Sequence, residues 1–518
     1  MQKIIQISVR PQIAYENEKL KNEIAKNLQV KPEEVSGFDL LKRSIDARKR
    51  DIKVNLEVNV FISEKYLKKQ ATKIEYPDVS TKPEVIIIGA GPAGLFAALQ
   101  LIQSGLKPVI FERGKPVSER KVDVASASKN VSLNPESNYC FGEGGAGTFS
   151  DGKLYTRSHK RGNIDEILET LVFHGASEDI LIDAQPHIGT NKLPNVVIQI
   201  RKSILNSGGK IHFNTRIDDF IIENSQIKGV ITDKGDKIYS DSVILSTGHS
   251  ASDIYYLLHK KNIAIEAKNF ACGLRVEHPQ GLIDSIQYHN SPDAEYLPAA
   301  SYKLVTQVEE RGVYSFCMCP GGFIVPASTA YGELVINGMS PSRRDSYFAN
   351  SGMVVEVRAD DIPEYSEHGV LAGLKFREYI EKTAFINGGN LLTAPAQTVP
   401  DFIAGKISKT LPATSYIPGV ISSPLHFWLP ENISKRLQYG LKTFDIRMKG
   451  FSTKEALLLG VETRTSSPIR IPRNDISLEH PQISGLYPCG EGAGYAGGIV
   501  SAAIDGQRCA KAIALKIR

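Results

Sequence analysis

One stretch constrains the fold more than any other: residues 84–113, with the sequence EVIIIGAGPAGLFAALQLIQSGLKPVIFER. It opens on an apolar run rich in β-branched residues, 85–88, which is typical of a parallel strand buried on both faces. A G-x-G-x-x-G pattern follows, then a helical segment that stops at Gly105 and a second strand-like run that ends at Glu112. This order of strand, turn, helix and strand is the context that a dinucleotide-binding fingerprint requires.

Each glycine of the pattern meets a physical requirement of such a site. Gly89 allows the tight turn, Gly91 lets the backbone approach a pyrophosphate, and Gly94 lets helix and strand pack closely. The phosphates would lie against the free N–H groups of the helix N-terminus. Glu112 lies 23 positions after Gly89, where a carboxylate accepts hydrogen bonds from ribose hydroxyls. We therefore predict nucleotide binding rather than a glycine-rich turn without a ligand.

Length and composition exclude several classes of protein. The 518 residues allow two or three domains, and 42% hydrophobic with 23% charged residues argues against disorder. A net charge of +5 is too small to indicate nucleic acid or a membrane surface as a partner. The longest apolar run carries three glycines and a proline, so we predict no membrane span. Six cysteines do not make a disulfide framework in so long a chain, and with no signal-peptide pattern we expect a cytoplasmic protein.

Residues 1–75 have a pattern of their own. Apolar residues alternate near both ends and repeat every four positions between them, at Leu20, Ile24 and Leu28, which predicts strands around a helix. We predict a small N-terminal α+β domain, ferredoxin-like, followed by a polar linker over residues 76–82. The basic cluster at residues 42–50 either binds a polyanion or forms a solvated turn, and the solvated turn is the commoner case.

Residues 83–270 are predicted to form a nucleotide-binding α/β domain. A second glycine-rich stretch, residues 141–153, reads FGEGGAGTFSDGK, a spacing that neither helix nor strand tolerates. It either passes close to a flat ligand and donates N–H groups to it or forms a flexible loop tip. The apolar anchors Phe141, Phe149 and Leu154 favour the ligand. Short strands between residues 210 and 239 predict an antiparallel meander before the chain returns to the parallel sheet at 242–245.

The rest of the chain divides in two. Over residues 271–455 prolines and glycine pairs become frequent, and strand-like runs such as 332–336 and 353–357 alternate with loops. We predict an inserted, mainly β substrate domain there. Residues 456–518 return to the nucleotide-binding domain, with the glycine-rich turn GLYPCGEGAGYAGG at 485–498 before a helix of small residues. That junction places another helix N-terminus at a ligand.

These motifs resemble known proteins at two levels. The order of the fingerprint, the return at 246–248 and the turn at 490–491 is similar to that of FAD-binding flavoproteins of the glutathione-reductase type. Longer stretches at 140–156, 277–280, 317–328 and 485–506 resemble the uncharacterised bacterial FAD-dependent dehydrogenases, and SIDAR at 44–48 matches their N-terminal segment. The resemblance implies a Rossmann FAD-binding domain with a β-meander, an inserted substrate domain, and FAD as cofactor.

The resemblance also implies roles for particular residues. The fingerprint turn would hold the pyrophosphate, residues 112–120 and the strand at 216–217 the adenosine half, and residues 144–151 with the helix from Gly498 the isoalloxazine. The implied cofactor-binding residues are Gly89, Gly91, Ala93, Gly94, Glu112, Arg113, Arg120, Gly144, Gly145, Ala146, Gly147, Thr148, Ser150, Asp151, Ile217, Thr247, Gly248, Gly490, Glu491, Gly498, Ile499 and Val500.

No catalytic side chain follows from the sequence, and His278 and Cys319 are only weak candidates. Cys317-x-Cys319 lacks the C-x-x-C spacing of dithiol oxidoreductases, and we expect the two thiols to point to opposite faces of a strand. Because no H-E-x-x-H or clustered Cys/His motif is present, we predict no metal. No second dinucleotide fingerprint follows residue 114, so either NAD(P)H docks transiently or another reductant is used.

Flavin carries hydride chemistry, and the protein supplies position and electrostatics. We therefore predict an FAD-dependent oxidoreductase, a dehydrogenase or reductase that transfers hydride between flavin and a small or partly apolar substrate. Two alternatives stay open. One is a flavin monooxygenase or double-bond reductase, and the other is a non-enzymatic FAD-containing binding protein.

Overall fold

The computed structural model describes residues 1–67, 73–129, 132–156 and 162–517. The N-terminal elements are β1 (Gln2–Val9), α1 (Pro11–Ala14), α2 (Asn17–Leu28), β2 (Val35–Asp46) and β3 (Lys53–Ile62). The strands form an antiparallel sheet in the order β1-β3-β2, and Leu20 and Ile24 of α2 are fully buried in its core. The ferredoxin-like prediction is wrong, because that β-α-β-β-α-β fold needs a further helix and strand after β3, and the described residues up to Glu84 contain neither.

Two arginines of the basic cluster at residues 42–50 are paired within the protein. Arg43 donates to Asp183 at 2.7 Å and to Asp179 at 3.2 Å, so it attaches β2 to the next unit. Arg48 forms an ion pair with Asp46 at 2.6 Å. Of the two interpretations of this cluster, the structure favours the locally paired, solvated turn over a polyanion site.

The predicted linker at residues 76–82 is packed against the nucleotide-binding unit. Val79 is 1% exposed, lies in the core of that unit, and donates its N–H to the carbonyl of Ser207 at 2.8 Å. Tyr76 packs against the same core, with its ring centroid 6.2 Å from that of Phe173. The structure therefore places the start of the second folding unit before Tyr76.

A shortened chain tests this boundary. We expect a chain that starts at Lys73 to fold and bind flavin, because most apolar residues of the N-terminal sheet form a core of their own, although Ile52 is buried in the core of the inserted unit. A chain that starts at Thr81 also loses Tyr76 and Val79, and removing such buried side chains costs about 2–5 kcal/mol. Thermal unfolding, size-exclusion chromatography and flavin absorbance should thus separate the two chains. An aggregated chain from Lys73 would instead show that the N-terminal sheet is needed for folding.

The second unit is built on a parallel sheet. Its elements before the insertion are β4 (Glu84–Ile88), α3 (Pro92–Gln103), β5 (Lys107–Phe111), α4 (Val117–Ser128), α5 (Ile164–Phe173), α6 (Leu193–Asn206), β6 (Lys210–His212), β7 (Ile217–Glu223), β8 (Gln226–Thr232), β9 (Lys237–Tyr239), β10 (Val243–Leu245) and α7 (Ser252–Lys260). The strands β10-β4-β5-β6 are parallel neighbours, and β7-β8-β9 form an antiparallel meander. The predicted α/β nucleotide-binding fold is confirmed.

The inserted unit is a mixed sheet with helices packed on it. A short strand, β11 (Glu266–Ala267), precedes this unit and lies outside its sheet. The elements of the unit are β12 (Phe270–Pro279), α8 (Gln280–Gln287), β13 (Val305–Val308), β14 (Arg311–Pro326), β15 (Ile336–Met339), β16 (Phe348–Val357), α9 (Ala372–Asn387), β17 (Ala394–Thr398), α10 (Val399–Ala404), β18 (Val420–Ser422), α11 (Leu425–Trp428), α12 (Glu431–Arg447) and β19 (Leu457–Glu462). The strand order is β13-β14-β16-β12-β19-β17-β18, with β15 paired to β14.

Two predictions about the inserted unit need correction. The strand predicted at 332–336 begins only at Ile336, because residues 333–335 precede the pairing of β15 with β14. The predicted end of the insertion at residue 455 separates β19 from its sheet, yet β19 pairs with both β12 and β17. The insertion therefore continues through Glu462.

The chain then returns to the parallel sheet. Its last elements are β20 (Ile469–Arg470), β21 (Leu486–Pro488) and α13 (Ile499–Ile517), and β21 pairs in parallel with β10. Helix α13 packs closely on α3, since a Cβ added at Gly506 would collide with the carbonyl oxygen of Ala93. None of the helices in the described residues has the length and apolar character needed to span a bilayer.

Candidate functional site

The carboxyl ends of three parallel strands bring the glycine-rich turns together. β4 leads into residues 89–91, its neighbour β10 into residues 246–248, and β21 into residues 489–492. In open α/β sheets this edge is where ligands bind. The predicted fingerprint, return and terminal turn therefore share one location.

The fingerprint glycines differ in what surrounds them. Gly89 has φ +100°, and a Cβ there would lie 2.6 Å from the carbonyl oxygen of Ser246. A Cβ at Gly94 would collide with the carbonyl oxygen of Gly89. At Gly91, the N-cap of α3, the nearest described atom to an added Cβ is 3.9 Å away. Gly89 and Gly94 therefore allow close packing, whereas Gly91 leaves open space in front of the N-terminus of α3. The first turn of α3, which contains Ala93, has free N–H groups that can bind an anion in that space.

Glu112 connects the fingerprint turn to the glycine-rich loop, residues 141–153. Its side chain is 6% exposed and accepts hydrogen bonds from the N–H groups of Ala90 (2.8 Å), Gly142 (2.9 Å) and Gly114 (3.0 Å). A carboxylate offers about four acceptor positions. The predicted bond to a ribose would thus add to these contacts, and Glu112 also fixes the turn and the loop.

The glycine-rich loop lies between the N-termini of two helices. Gly144 donates its N–H to the carbonyl of Ala90 at 2.8 Å, beside α3. On the other side, a Cβ at Gly147 would lie 3.4 Å from Ile499, the first residue of α13. Of the predicted residues, this loop contains Gly144, Gly145, Ala146, Gly147, Thr148, Ser150 and Asp151, and Val500 follows Ile499 in α13.

Arg120, predicted beside the adenosine, supports the loop from below. It is 0% exposed and donates to the carbonyls of Asn138 (2.8 Å), Glu143 (2.8 Å) and Tyr139 (3.0 Å). Burial lowers the pKa of this guanidinium to about 10. These contacts make Arg120 an anchor of the loop rather than a nucleotide ligand. The sequence could not predict this role, because the three carbonyl groups belong to residues that lie 18 to 23 positions further along the chain.

The terminal turn is held by an ion pair in its interior. The N–H of Gly490 donates to Asp505 at 2.8 Å, and Asp505 pairs with Arg473 at 2.6 Å. Among the described residues, one trio has potential metal-ligand atoms within 4.8 Å of one another, Cys489, Asp505 and Cys509. Arg473 neutralises the carboxylate of this trio, so the arrangement is that of a structural ion pair.

The return at residues 246–248 lies beside the terminal turn. A Cβ at Gly492 would lie 2.7 Å from the carbonyl oxygen of Gly248. Glu491 is 3.3 Å from Nδ1 of His249, which follows Thr247 and Gly248 at the end of β10. The structure therefore brings the predicted residues 247, 248, 490 and 491 together.

A strip of backbone without side chains crosses this edge of the sheet. Added Cβ atoms at Gly248, Gly497 and Gly498 would meet no described atom within 4 Å, and Gly91 is nearly as open. An extended ligand can approach the backbone along such a strip and accept hydrogen bonds from the N–H groups at the N-termini of α3 and α13. This surface fits a dinucleotide cofactor such as FAD.

A charged cleft of about 410 Å³ lies close to the end of β10, with Ser250, two positions after Gly248, in its lining. Arg113 and Ile217, both predicted at the adenosine, line it, together with Glu333 and Glu378 from the inserted unit. Arg113 donates to Glu136 at 2.7 Å and lies 4.3 Å from the ring centroid of Phe141. The cleft therefore lies between the parallel-sheet unit and the inserted unit.

Comparisons with known proteins agree with this geometry. Residues 84–147 match the family described as FAD binding domain, residues 269–465 match "FAD-dependent protein, C-terminal domain-like", and residues 1–61 match a domain of unknown function. An "Uncharacterized protein" of Clostridium beijerinckii is 41% identical over 515 residues, 95% of each chain. The chain belongs to this family of FAD-dependent proteins.

Other similarities cover the FAD-dependent protein only in part or weakly. A thiamine thiazole synthase of Methanococcus maripaludis is 28% identical over 195 residues, which are 35% of this chain and 63% of that one. The solved glycine oxidase of Bacillus cereus is 15% identical, with a TM-score of 0.30, over 84% of this chain and 96% of that one.

The two weak catalytic candidates have different surroundings. His278 is 0% exposed in the core of the inserted unit, where Nε2 lies 2.9 Å from the carbonyl of Phe451 and burial lowers its pKa to about 4. It is therefore a neutral core histidine near physiological pH. Cys319 is also buried, but it lies with Cys317 beside Lys153.

The expectation that the two thiols point to opposite faces is wrong. Residues i and i+2 of a strand share a face, and both sulfurs lie near the ammonium of Lys153, at 3.9 Å and 4.0 Å. Lys153 is the last residue of the glycine-rich loop, and that position was the signal available in the sequence. Asp151, predicted along the flavin, forms a buried ion pair with Arg344 at 2.8 Å.

Proposed function

We propose that this FAD-dependent protein is an oxidoreductase, a dehydrogenase or reductase, in which flavin exchanges hydride with a small or partly apolar substrate beside the inserted unit. The observation that carries the proposal is the open backbone strip of Gly91, Gly248 and Gly497–Gly498 at the carboxyl edge of the sheet. When bound, the cofactor supplies the hydride chemistry. The chain binds, orients and shields it.

The chain's own residues divide the site into two ends under this proposal. The cleft with Arg113 and Ile217 takes the adenosine half, and Glu112 contributes its remaining acceptor position to the ribose. The starts of α3 and α13, with the loop between them, take the pyrophosphate and the flavin. The substrate approaches from the inserted sheet, whose β14 meets the end of the loop at Lys153.

Anaerobic reduction of the purified protein tests the proposal. We expect the extracted cofactor to be FAD rather than FMN, because the fingerprint and Glu112 are built for an adenosine diphosphate. We also expect the bound flavin to bleach with at least one member of a panel of NADH, NADPH and small reduced substrates. Flavin that no donor reduces would support the non-enzymatic alternative, and oxygen uptake that requires substrate would support a monooxygenase.

The start of α13 offers a test of flavin electrostatics. Reduction places negative charge on the flavin, and a helix N-terminus stabilises such charge by up to about 2 kcal/mol, which is roughly 20–40 mV for two electrons. Gly498 has φ +156°, which strains any side chain, but Gly497 does not have a positive φ and is open. Gly497→Asp is therefore expected to lower the flavin potential by roughly 20–40 mV.

Gly497→Asn is the matched control, because it adds the same shape without the charge. A spectroscopic redox titration of both variants measures the effect. If the aspartate variant retains its flavin and shows the potential of the asparagine variant, α13 does not face the flavin.

A further inference from the structure

Two thiols and one ammonium group meet where β14 reaches the glycine-rich loop. Lys153 Nζ lies 3.9 Å from Sγ of Cys317 and 4.0 Å from Sγ of Cys319, and it donates to the carbonyl of Met318 between them. Cys317 is half-buried, whereas Cys319 is 0% exposed. Cys317 is therefore the more exposed of the two residues, and Cys319 is enclosed.

The backbone at Cys317 has an unusual conformation. Its φ is +45°, in the left-handed region that residues other than glycine rarely adopt. The pairing of β14 with β16 shifts register between Phe316 and Cys319, as in a β-bulge, which re-aims a side chain. Strain of this kind persists where the surrounding structure enforces it, and it often marks functional sites.

The charges around the thiols favour a thiolate at Cys317. Interaction with the Cys319 thiol and the positive charges of Lys153 and Arg275 hold the pKa of Cys317 below its usual range, although burial opposes them. The other charged groups facing this site are Asp151, 3.6 Å from Lys153, Arg344, paired with Asp151, and Glu462, paired with Arg275 at 2.8 Å. The hydrogen bond between the two cysteine side chains raises the pKa of Cys319.

We propose that Cys317 and Cys319 form a dithiol–disulfide couple that reduces small disulfides. The Cys317 thiolate attacks one sulfur of a disulfide RSSR, the S–S bond breaks, and RS⁻ leaves and takes a proton. Cys319 loses its proton and attacks Cys317 Sγ, which releases the second RS⁻ and forms the internal disulfide. Two cysteine thiols are oxidised, and RSSR is reduced to two RSH.

This activity goes beyond the proposed flavin chemistry, because no atom of FAD takes part in the exchange. Its failure would leave the flavin proposal untouched, and a protein without reducible flavin could still perform it. The division of roles follows from access: the half-buried Cys317 attacks, and the enclosed Cys319 resolves.

The test treats the reduced, full-length protein with 2-hydroxyethyl disulfide and maps the cysteine peptides by mass. In the wild type we expect an internal disulfide between residues 317 and 319. In Cys319→Ser we expect the reaction to stop at a mixed disulfide on Cys317. Cys140, half-buried with its Sγ near the carbonyl of Ala327 (3.5 Å), is the internal control and should react slowly in every sample.

Lys153 variants test the thiolate itself. An ordinary thiol is only a few per cent ionised at pH 7, so Lys153→Met is expected to slow adduct formation on Cys317 by about tenfold or more and to raise its pH midpoint. Lys153→Arg retains the charge and should restore most of the rate. Thermal unfolding shows which variants fold.

Two results would overturn the proposal. One is labelling of Cys317 in Cys319→Ser no faster than that of Cys140. The other is a wild-type mixed disulfide that never resolves. Running the wild type with and without FAD separates the two proposals, since the exchange should proceed equally in both samples.

Discussion

Replacement of Glu112 by alanine is expected to lower FAD affinity by roughly 10- to 150-fold and to destabilise the protein before any cofactor binds. The carboxylate accepts the N–H groups of Ala90, Gly114 and Gly142, so its loss leaves three donors in a buried turn without their acceptor. Each hydrogen bond to a charged group is worth about 1.5–3 kcal/mol. The loss of the proposed ribose contact lowers FAD affinity further, in addition to the effect of the loosened turn.

Thermal unfolding of the apoprotein and a fluorescence titration with FAD separate these two effects. Glu112→Gln retains one acceptor oxygen and should fall between wild type and alanine. Glu119→Ala, on the exposed face of α4, is the control and should change neither quantity. An alanine variant with unchanged apoprotein stability but weak FAD binding would show that Glu112 acts on the ribose alone.

The fingerprint glycines Gly91 and Gly94 are expected to give opposite results when each becomes alanine. At Gly94 the methyl group would collide with the carbonyl of Gly89, so α3 must move from the sheet, and overpacking of this kind costs about 1–3 kcal/mol or more. At Gly91 the methyl group has space, so apoprotein stability should stay within about 0.5 kcal/mol. That space is where the pyrophosphate is proposed to lie, so FAD affinity should fall by about tenfold or more.

The same two measurements check this pair, and each variant is the control for the other. If Gly91→Ala binds FAD as tightly as the wild type, the pyrophosphate does not pass the start of α3. If Gly94→Ala unfolds at the wild-type temperature, α3 can shift without loss of stability, and its close packing against the fingerprint turn does not contribute to the stability of the protein.

The predictions that held were those that depend on neighbours in sequence. Gly89 was predicted to allow a tight turn and Gly94 to allow close helix packing, and local spacing suffices to identify both roles. The α/β fold follows from the same stretch. Glu112 was located correctly at the end of β5, but its three amide partners come from separate segments, and spacing along the chain carries no information about them.

Features built by distant residues were missed or misassigned. Arg120 looks like a nucleotide ligand in sequence, and only the folded loop shows carbonyls around its guanidinium. Lys153 and Cys317 are separated by more than 160 positions, so no local pattern joins them. The boundary at 455 failed because β19 is short and apolar, and the strands it pairs with, β12 and β17, lie earlier in the chain.

The packing of α13 on α3 also sets an order of events during synthesis. The fingerprint leaves the ribosome about 400 residues before the turn at 490–498, which at 5–20 residues per second is a delay of roughly 20–80 s. During that interval the apolar face of α3 has no α13 to cover it, and one wall of the cofactor site does not yet exist. Cofactor loading is therefore a late step that a growing chain cannot use to assist its early folding.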